Sequence, residues 1–516
     1  MKRKGWDTVA YLIGIDVGTS GTKTALFDEA AHCVASKTVE YPMYQPQNGW
    51  AEQDPADWWN AVAEGIRAVL EKSGVHAGDI AGVGLSGQMH GLVMLDDQGN
   101  PLRRAILWCD QRTGRECAEL EAAMGRDRLI AVTANPAMTG FTAAKILWVK
   151  RHEPECFAHC ARILLPKDYI RYCLTGVFAT EVSDASGMQM MDIPGRCWSP
   201  EMLELLGVRE EQLGRMFESP EVTGRVNREA AALTGLCEGT PVVGGAGDNA
   251  AAAVGTGVVA PGRAFTTIGT SAVVYTVSDG VHIDSQGRVH TFCASVPGKW
   301  TVMSCTQSAG LSLQWLRNTC CTAEQAQAEQ EGRDVYALMD EMAAGVPIGA
   351  GRLLYLPYLM GERSPHPDPD CRGVFFGLSA VHSRANLIRA VLEGVAYSQR
   401  ECVDVFREMG VSVEDMAVCG GGGRSRIWRQ MLADLYGCPV STLRVDEGAA
   451  LGAALLAGVG AGVYTDVVDA CAKTVHKGET YPSNREAHEA YEPYYQLYKQ
   501  LYRDLREDFA CLAQLG

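Results

Sequence analysis

Three short segments carry residues able to act on a phosphate or a hydroxyl. The first, IGIDVGTSGTK, places Asp16 two residues before a glycine-rich tip. Glycine has no Cβ, so the backbone N–H groups around Gly18 can approach phosphate oxygens closely. Thr19, Ser20 and Thr22 add hydroxyl donors and Lys23 adds charge. Asp16 would face the same space and can hold Mg2+ through water, since that ion keeps much of its hydration. A plain hairpin with a polar tip would carry the same residues.

The second segment, GGAGDNAAAA, sets Asp248 at the head of an alanine-rich run. An aspartate there can simply cap a helix. The glycines before it favour close approach of a ligand, where the carboxylate would take a proton from a hydroxyl under phosphoryl attack. Asn249 can bond a neighbouring hydroxyl. In the third segment, GLSGQMHG, residues Gln88, Met89 and His90 form a loop flanked by glycines, suited to reading a sugar. AILWCDQRT follows, with Trp108 to pack on sugar carbons and Asp110 and Arg112 to orient hydroxyls. Further on, Gly420 to Gly423 precede Arg424 and Ser425 and fit a turn lying flat against a base or ribose. Neither a GxxxxGK[ST] loop nor an HRD or DFG set occurs, so a phosphotransferase here needs another architecture.

These residues need strands and helices to position them. Leu12 to Asp16 and Thr24 to Phe27 read as the arms of a β-hairpin. Ala264 to Ile268 and Ala272 to Val277 repeat that pattern around a second Gly-Thr-Ser tip, which points to duplication of one domain. Pro241 to Gly262 reads as strand, turn and alanine-rich helix, and a domain boundary is expected near Val258, giving domains of residues 1–258 and 259–516. Ile427, Met431, Leu432 and Leu435 have helical spacing after the glycine turn. Gly448 to Tyr464 reads as a buried, closely packed helix, and 487–512 as a C-terminal surface helix. Strands alternating with helices argue for an α/β class.

The 516 residues are too many for one core and fit two large domains. A net charge of −16 argues against nucleic-acid binding. The basic start, Lys2 to Lys4, is followed by too short an apolar run for a signal peptide, and no segment has the length of a membrane span. The 18 cysteines form no paired CxxC motifs, so they are expected to be reduced thiols of a cytoplasmic protein rather than a zinc site. The oligomeric state is not legible, and a homodimer is compatible with everything above.

The chain resembles the FGGY family of carbohydrate kinases. The resemblance rests on IGIDVGTSGTK, WAEQDPADWW, GLSGQMHG, AILWCDQR, GFTAAKILWVKRHEPE, LLPKDYIRYCLTG, GGAGDNAAAAVG, IGTSAVVY, LPYLMGERSPH, RGVFFGLS, AVLEGVAYS, CGGGGRSRIWRQMLAD and EGAALGAA, in that order from Ile13 to about Gly458. It implies a two-domain actin-like ATPase (ribonuclease H-like) fold around a central cleft, with ATP and Mg2+ as cofactors. It further implies Asp248 as the base and Met89 and His90 on the sugar, with Asp16 and Asp248 serving the metal through water. Gly269, Thr270, Gly421, Gly422, Gly423 and Ser425 would lie along the nucleotide. Within the family the QMHG loop implies a ketopentose, D-xylulose, as acceptor rather than ribulose, fuculose or glycerol. A non-catalytic ATPase switch of the same fold is the reading from another class. Cys109, where Asn is usual, Gly423, where Ala is frequent, and CTQSAGLSLQWL depart from the family pattern.

Overall fold

The computed structural model describes residues 9–445 and 447–515. The basic start at Lys2 to Lys4 lies outside the described residues, as do the outermost ends of the two expected domains. Two seven-stranded sheets carry the chain. In the first, Tyr11–Val17 and Gly21–Phe27 form the expected hairpin, and Cys33–Glu40 extends it. On the other side Ile80–Gly87 runs parallel to Tyr11–Val17, followed by Pro241–Val243 and Val222–Arg225. The second sheet repeats this order. Gly262–Ile268 and Ala272–Ser278 form a hairpin, Trp300–Thr306 extends it, and Val413–Cys419 runs parallel to Gly262–Ile268. The shared GTS tips therefore sit at the same place in two sheets of like connectivity, which supports the duplication read from the sequence.

Between Gly87 and Val222 the chain leaves the first sheet and builds a helical cap. Its core includes Leu92, Ile146, Met188, Met202 and Leu206. The 25-residue helix Arg384–Glu408 runs through the core of the second half. The C-terminal helix Arg485–Ala513 is less of a surface element than its charge implies. Tyr491, Tyr495, Tyr498 and Tyr502 recur at three- and four-residue spacing and bury one whole face against that core.

A clean division at Val258 does not describe the packing. The helix Gly448–Gly460, late in sequence, lies on the first sheet and crosses the helix Asp248–Gly255. Glycines admit it. A Cβ on Gly14 would sit 1.9 Å from the Ala450 carbonyl oxygen, and one on Gly84 1.9 Å from that of Ala453. At the helix crossing, a Cβ on Gly452 would sit 1.8 Å from the Ala251 carbonyl oxygen. This backbone-to-backbone approach is the physical reason for the glycine and alanine content of Gly448 to Gly460. It locks a second-half helix beside the strands that carry Asp16 and Ser86.

The seam gives a stability prediction. Gly452→Ala has only backbone to push against, so it should cost about 1–3 kcal/mol or more, in the range of an overpacked core. Gly114→Ala, at a helix start with open space around it, should be within about 0.5 kcal/mol of wild type. Urea-unfolding midpoints compare the two; equal midpoints would contradict the packing account.

Candidate active site

Strand register brings two carboxylates to one place. Asp16 is paired with Ser86 across the parallel strands, and on the other side of that strand Ala246 is also paired with Ser86. Asp16 is the penultimate residue of Tyr11–Val17, and Asp248 directly follows the strand Ala246–Gly247. Both lie at the carboxyl ends of parallel strands, where ligands of open α/β sheets bind. Asp248 begins the helix Asp248–Gly255 but does not cap it: Gly247 holds the cap position. The Asp248 Oδ1 instead accepts from the Asn249 N–H at 2.7 Å and from Asn249 Nδ2 at 2.9 Å. Burial pushes Asp248 up to about 7, with the charge of Asp16 adding to the rise and the Asn249 hydrogen bonds opposing it. Burial also raises Asp16, opposed by the Ser86 hydroxyl donating at 2.9 Å and by Lys23. A carboxylate held near neutral pH is fit to take a proton. Two facing carboxylates are also a fitting donor set for water-bridged Mg2+.

Met89 and His90 stand beside this pair. A Cβ on Gly247 would lie 2.8 Å from Met89 Cγ, so Met89 packs directly against the residue before Asp248. The His90 ring nitrogen Nδ1 lies 2.8 Å from the Gly187 carbonyl oxygen and must therefore carry the hydrogen. Burial holds the imidazole well below its ordinary range, so it is neutral. Nε2 is then an acceptor, ready for a hydroxyl. The ring sits 4.8 Å from that of Phe141, with Phe292 and His290 behind.

Several sequence-expected contacts have other work. Gln88 is buried; its Nε2 donates to Gln53 Oε1 at 2.9 Å and to the Gly18 carbonyl at 3.4 Å. Its Oε1 accepts from Thr19 Oγ1 at 3.5 Å, so both ends of the amide are engaged at the hairpin tip. Asp110 is fully buried and accepts from the Ala51 N–H at 2.6 Å and twice or more from Arg112, which also pairs with Glu52 and stacks on Trp50. That pair is a strut inside the first half, not a reader of hydroxyls. Trp108 Nε1 donates to Thr19 Oγ1 at 2.9 Å and ties the hairpin tip to the loop. Thr22 is buried against Tyr41, and Lys23 forms an ion pair with Glu447. Neither is free to reach a phosphate, whereas Gly18, Thr19 and the exposed Ser20 remain at the tip.

The second hairpin borders a cavity of about 390 Å³ lined by Gly269, Thr270, Gly421, Gly422 and Ser425, with Tyr336, Asp340 and Trp428. Gly420 has φ +80° and lets the loop pass 2.9 Å from the Ile268 carbonyl oxygen, measured from a notional Cβ. Gly423 is the exception among the expected glycines: it is buried against Val418 and does not line the cavity. Sequence reasoning missed Ser86, Phe141, Lys145 and His290, which reach the site only through long-range pairing. Arg363 was missed too; its Nη2 lies 3.8 Å from a notional Cβ on Gly140. The stretches GLSGQMHG, GFTAAKILW and GERSPH contain Ser86, Phe141 and Lys145, and Arg363, whereas no quoted stretch contains His290.

Comparison with known proteins agrees with this geometry. Residues 11–255 match the N-terminal domain of the FGGY family of carbohydrate kinases, and residues 264–461 match its C-terminal domain. A xylulose kinase of Bacillus subtilis (strain 168) is 39% identical over 463 residues, covering 90% of each chain. A xylulose kinase of Escherichia coli (strain K12) is 39% identical over 482 residues, covering 93% of this chain and 96% of the other. The solved structure of a xylulose kinase from Rhodospirillum rubrum is 32% identical and superposes with a TM-score of 0.90, covering 97% of this chain and all of that one. The sheet topology, the paired carboxylates and these matches across both halves make the chain a member of the FGGY family of carbohydrate kinases, with the actin-like ATPase fold.

Proposed function

We propose that the protein transfers the γ-phosphoryl group of ATP to O5 of D-xylulose, with Asp248 as general base. The observation that carries this is the placement of Asp248. It sits between the Asp16 hairpin, which would face phosphate, and the Met89–His90 loop, which would face the acceptor, and burial lifts it toward neutral pH. The relatives' names support D-xylulose as acceptor. In the reaction O5 loses its proton to the Asp248 carboxylate as it attacks the γ-phosphorus, and ADP leaves. His90 Nε2 accepts from a sugar hydroxyl, and Met89 packs on the carbon chain. Thr19 and Ser20 would offer donors to the phosphates, and Gly269, Thr270, Gly421 and Gly422 would border the nucleotide. Asp16 and Asp248 would hold Mg2+ through water, and that ion would supply charge neutralisation at the phosphates. No helix among the described residues is long and apolar enough to cross a membrane; a kinase using ATP is expected in the cytoplasm.

Asp248→Asn should keep sugar binding and lose about 10²–10⁴-fold in kcat, the usual worth of a general base. The pH profile gives the same test a sign. Only the ionised carboxylate accepts the proton, so activity should fall as pH drops through about 7, roughly tenfold per unit below it. That limb should vanish in Asp248→Asn. Near-normal turnover of the variant would remove Asp248 from this role.

Acceptor choice is tested by kcat/KM on D-xylulose, D-ribulose, L-ribulose and glycerol. D-xylulose should lead. Reversing one hydroxyl leaves a buried donor or acceptor unpaired, at about 1–3 kcal/mol, so D-ribulose should be poorer by about 5- to 150-fold. His90→Ala should erode this preference more than it lowers kcat at saturating sugar. A wild-type preference for another of the four would overturn the acceptor while leaving a carbohydrate kinase.

A further inference from the structure

His90 is one of few non-glycine residues with a left-handed backbone, at φ +69°. For an L-residue this conformation is disfavoured, and it persists only where the surroundings hold it. What holds it here is a lysine. Lys145, fully buried on the helix Thr142–His152, donates from Nζ to the His90 carbonyl oxygen at 2.9 Å and to the Gly140 carbonyl oxygen at 2.7 Å. Thr142 Oγ1 donates to the same His90 carbonyl at 3.0 Å. Lys145 has no ion-pair partner among the described residues; the nearby Asp110 is committed to Arg112.

A buried ammonium that meets only carbonyls is an expensive way to build a core. Burial pushes Lys145 down to about 7, and the charge of Asp110 only partly offsets the fall. Both of its bonds converge on one object. The His90 carbonyl fixes the backbone that aims the imidazole, and the Gly140 carbonyl fixes the turn that places Phe141 against the imidazole face.

We propose that Lys145 is a positioning residue for acceptor recognition: it holds His90 in the left-handed backbone that turns Nε2 toward the sugar. The proposal rests on the reading that His90 contacts the acceptor. If the competent His90 conformer is only partly populated, apparent sugar affinity falls by that fraction.

The test is a double-mutant cycle on sugar binding, measured by calorimetry without nucleotide, beside kcat and the KM for ATP. The sugar is whichever of the four acceptors wild type prefers, so a wrong acceptor assignment and a wrong role for Lys145 give separate results. Lys145→Met should raise the sugar Kd by about 5- to 30-fold, the population cost of releasing one left-handed residue. The KM for ATP and kcat at saturating sugar should stay within about threefold, because neither depends on His90 aim. In a His90→Ala background, adding Lys145→Met should change the Kd by less than about twofold. If Lys145→Met does not fold, Lys145→Gln, whose amide donors sit on an arm one bond shorter and do not span both carbonyls, takes its place in the cycle under the same criterion. An unchanged sugar Kd in the single variant, or effects that simply multiply in the double variant, would overturn the proposal.

Discussion

The constraint on which this structure depends is the register of three parallel strands. Ser86 is paired on one side with Asp16 and on the other with Ala246, two residues before Asp248. A parallel sheet fixes such neighbours to within a residue, and a slip of one would turn Asp16 to the opposite face. Two carboxylates that repel one another are thereby held at the carboxyl end of the central strands. Their mutual charge, added to burial, lifts Asp248 into the range where it can both accept and return a proton near neutral pH.

Holding that end requires backing, and small residues make the backing possible. Gly14 and Gly84 precede Asp16 and Ser86 by two positions each, so they lie on the same face. They admit the helix Gly448–Gly460, whose own Gly452 admits the helix headed by Asp248. Asp248, its repelling partner Asp16 and the helix between the two halves of the chain therefore form one packed unit. A Cβ added at Gly14, Gly84 or Gly452 meets backbone, which cannot move aside as a flexible side chain would.

Much of this was legible in the residues. Both hairpins, the strand–turn–helix around Asp248 and the glycine turn at Gly420 follow from local spacing, and local spacing is what sequence displays. Roles set by distant partners were not legible. Gln88 and Thr22 are polar residues beside a glycine tip, yet their bonds go to Gln53 and Tyr41. Lys23 meets Glu447 only because the late helix returns to the first sheet. Asp110 and Arg112, two residues apart, form an ion pair whose burial depends on Trp50 and Glu52. Lys145 hides in an apolar helix, where a lysine has no local reason to be. The tyrosines of the last helix face inward because the long helix Arg384–Glu408 offers them a core, which their charged neighbours in sequence do not reveal.

The central claim, that register creates a carboxylate pair whose field prepares the base, is tested most directly by titrating the Asp248 carboxyl itself. Carbon-13 NMR of the metal-free protein, in wild type and in Asp16→Asn, reads that group alone. The account predicts a wild-type midpoint near 7 that moves lower when the Asp16 charge is removed, yet stays above an ordinary aspartate because burial remains. A midpoint in the ordinary carboxylate range, or one that Asp16→Asn leaves in place, would contradict it.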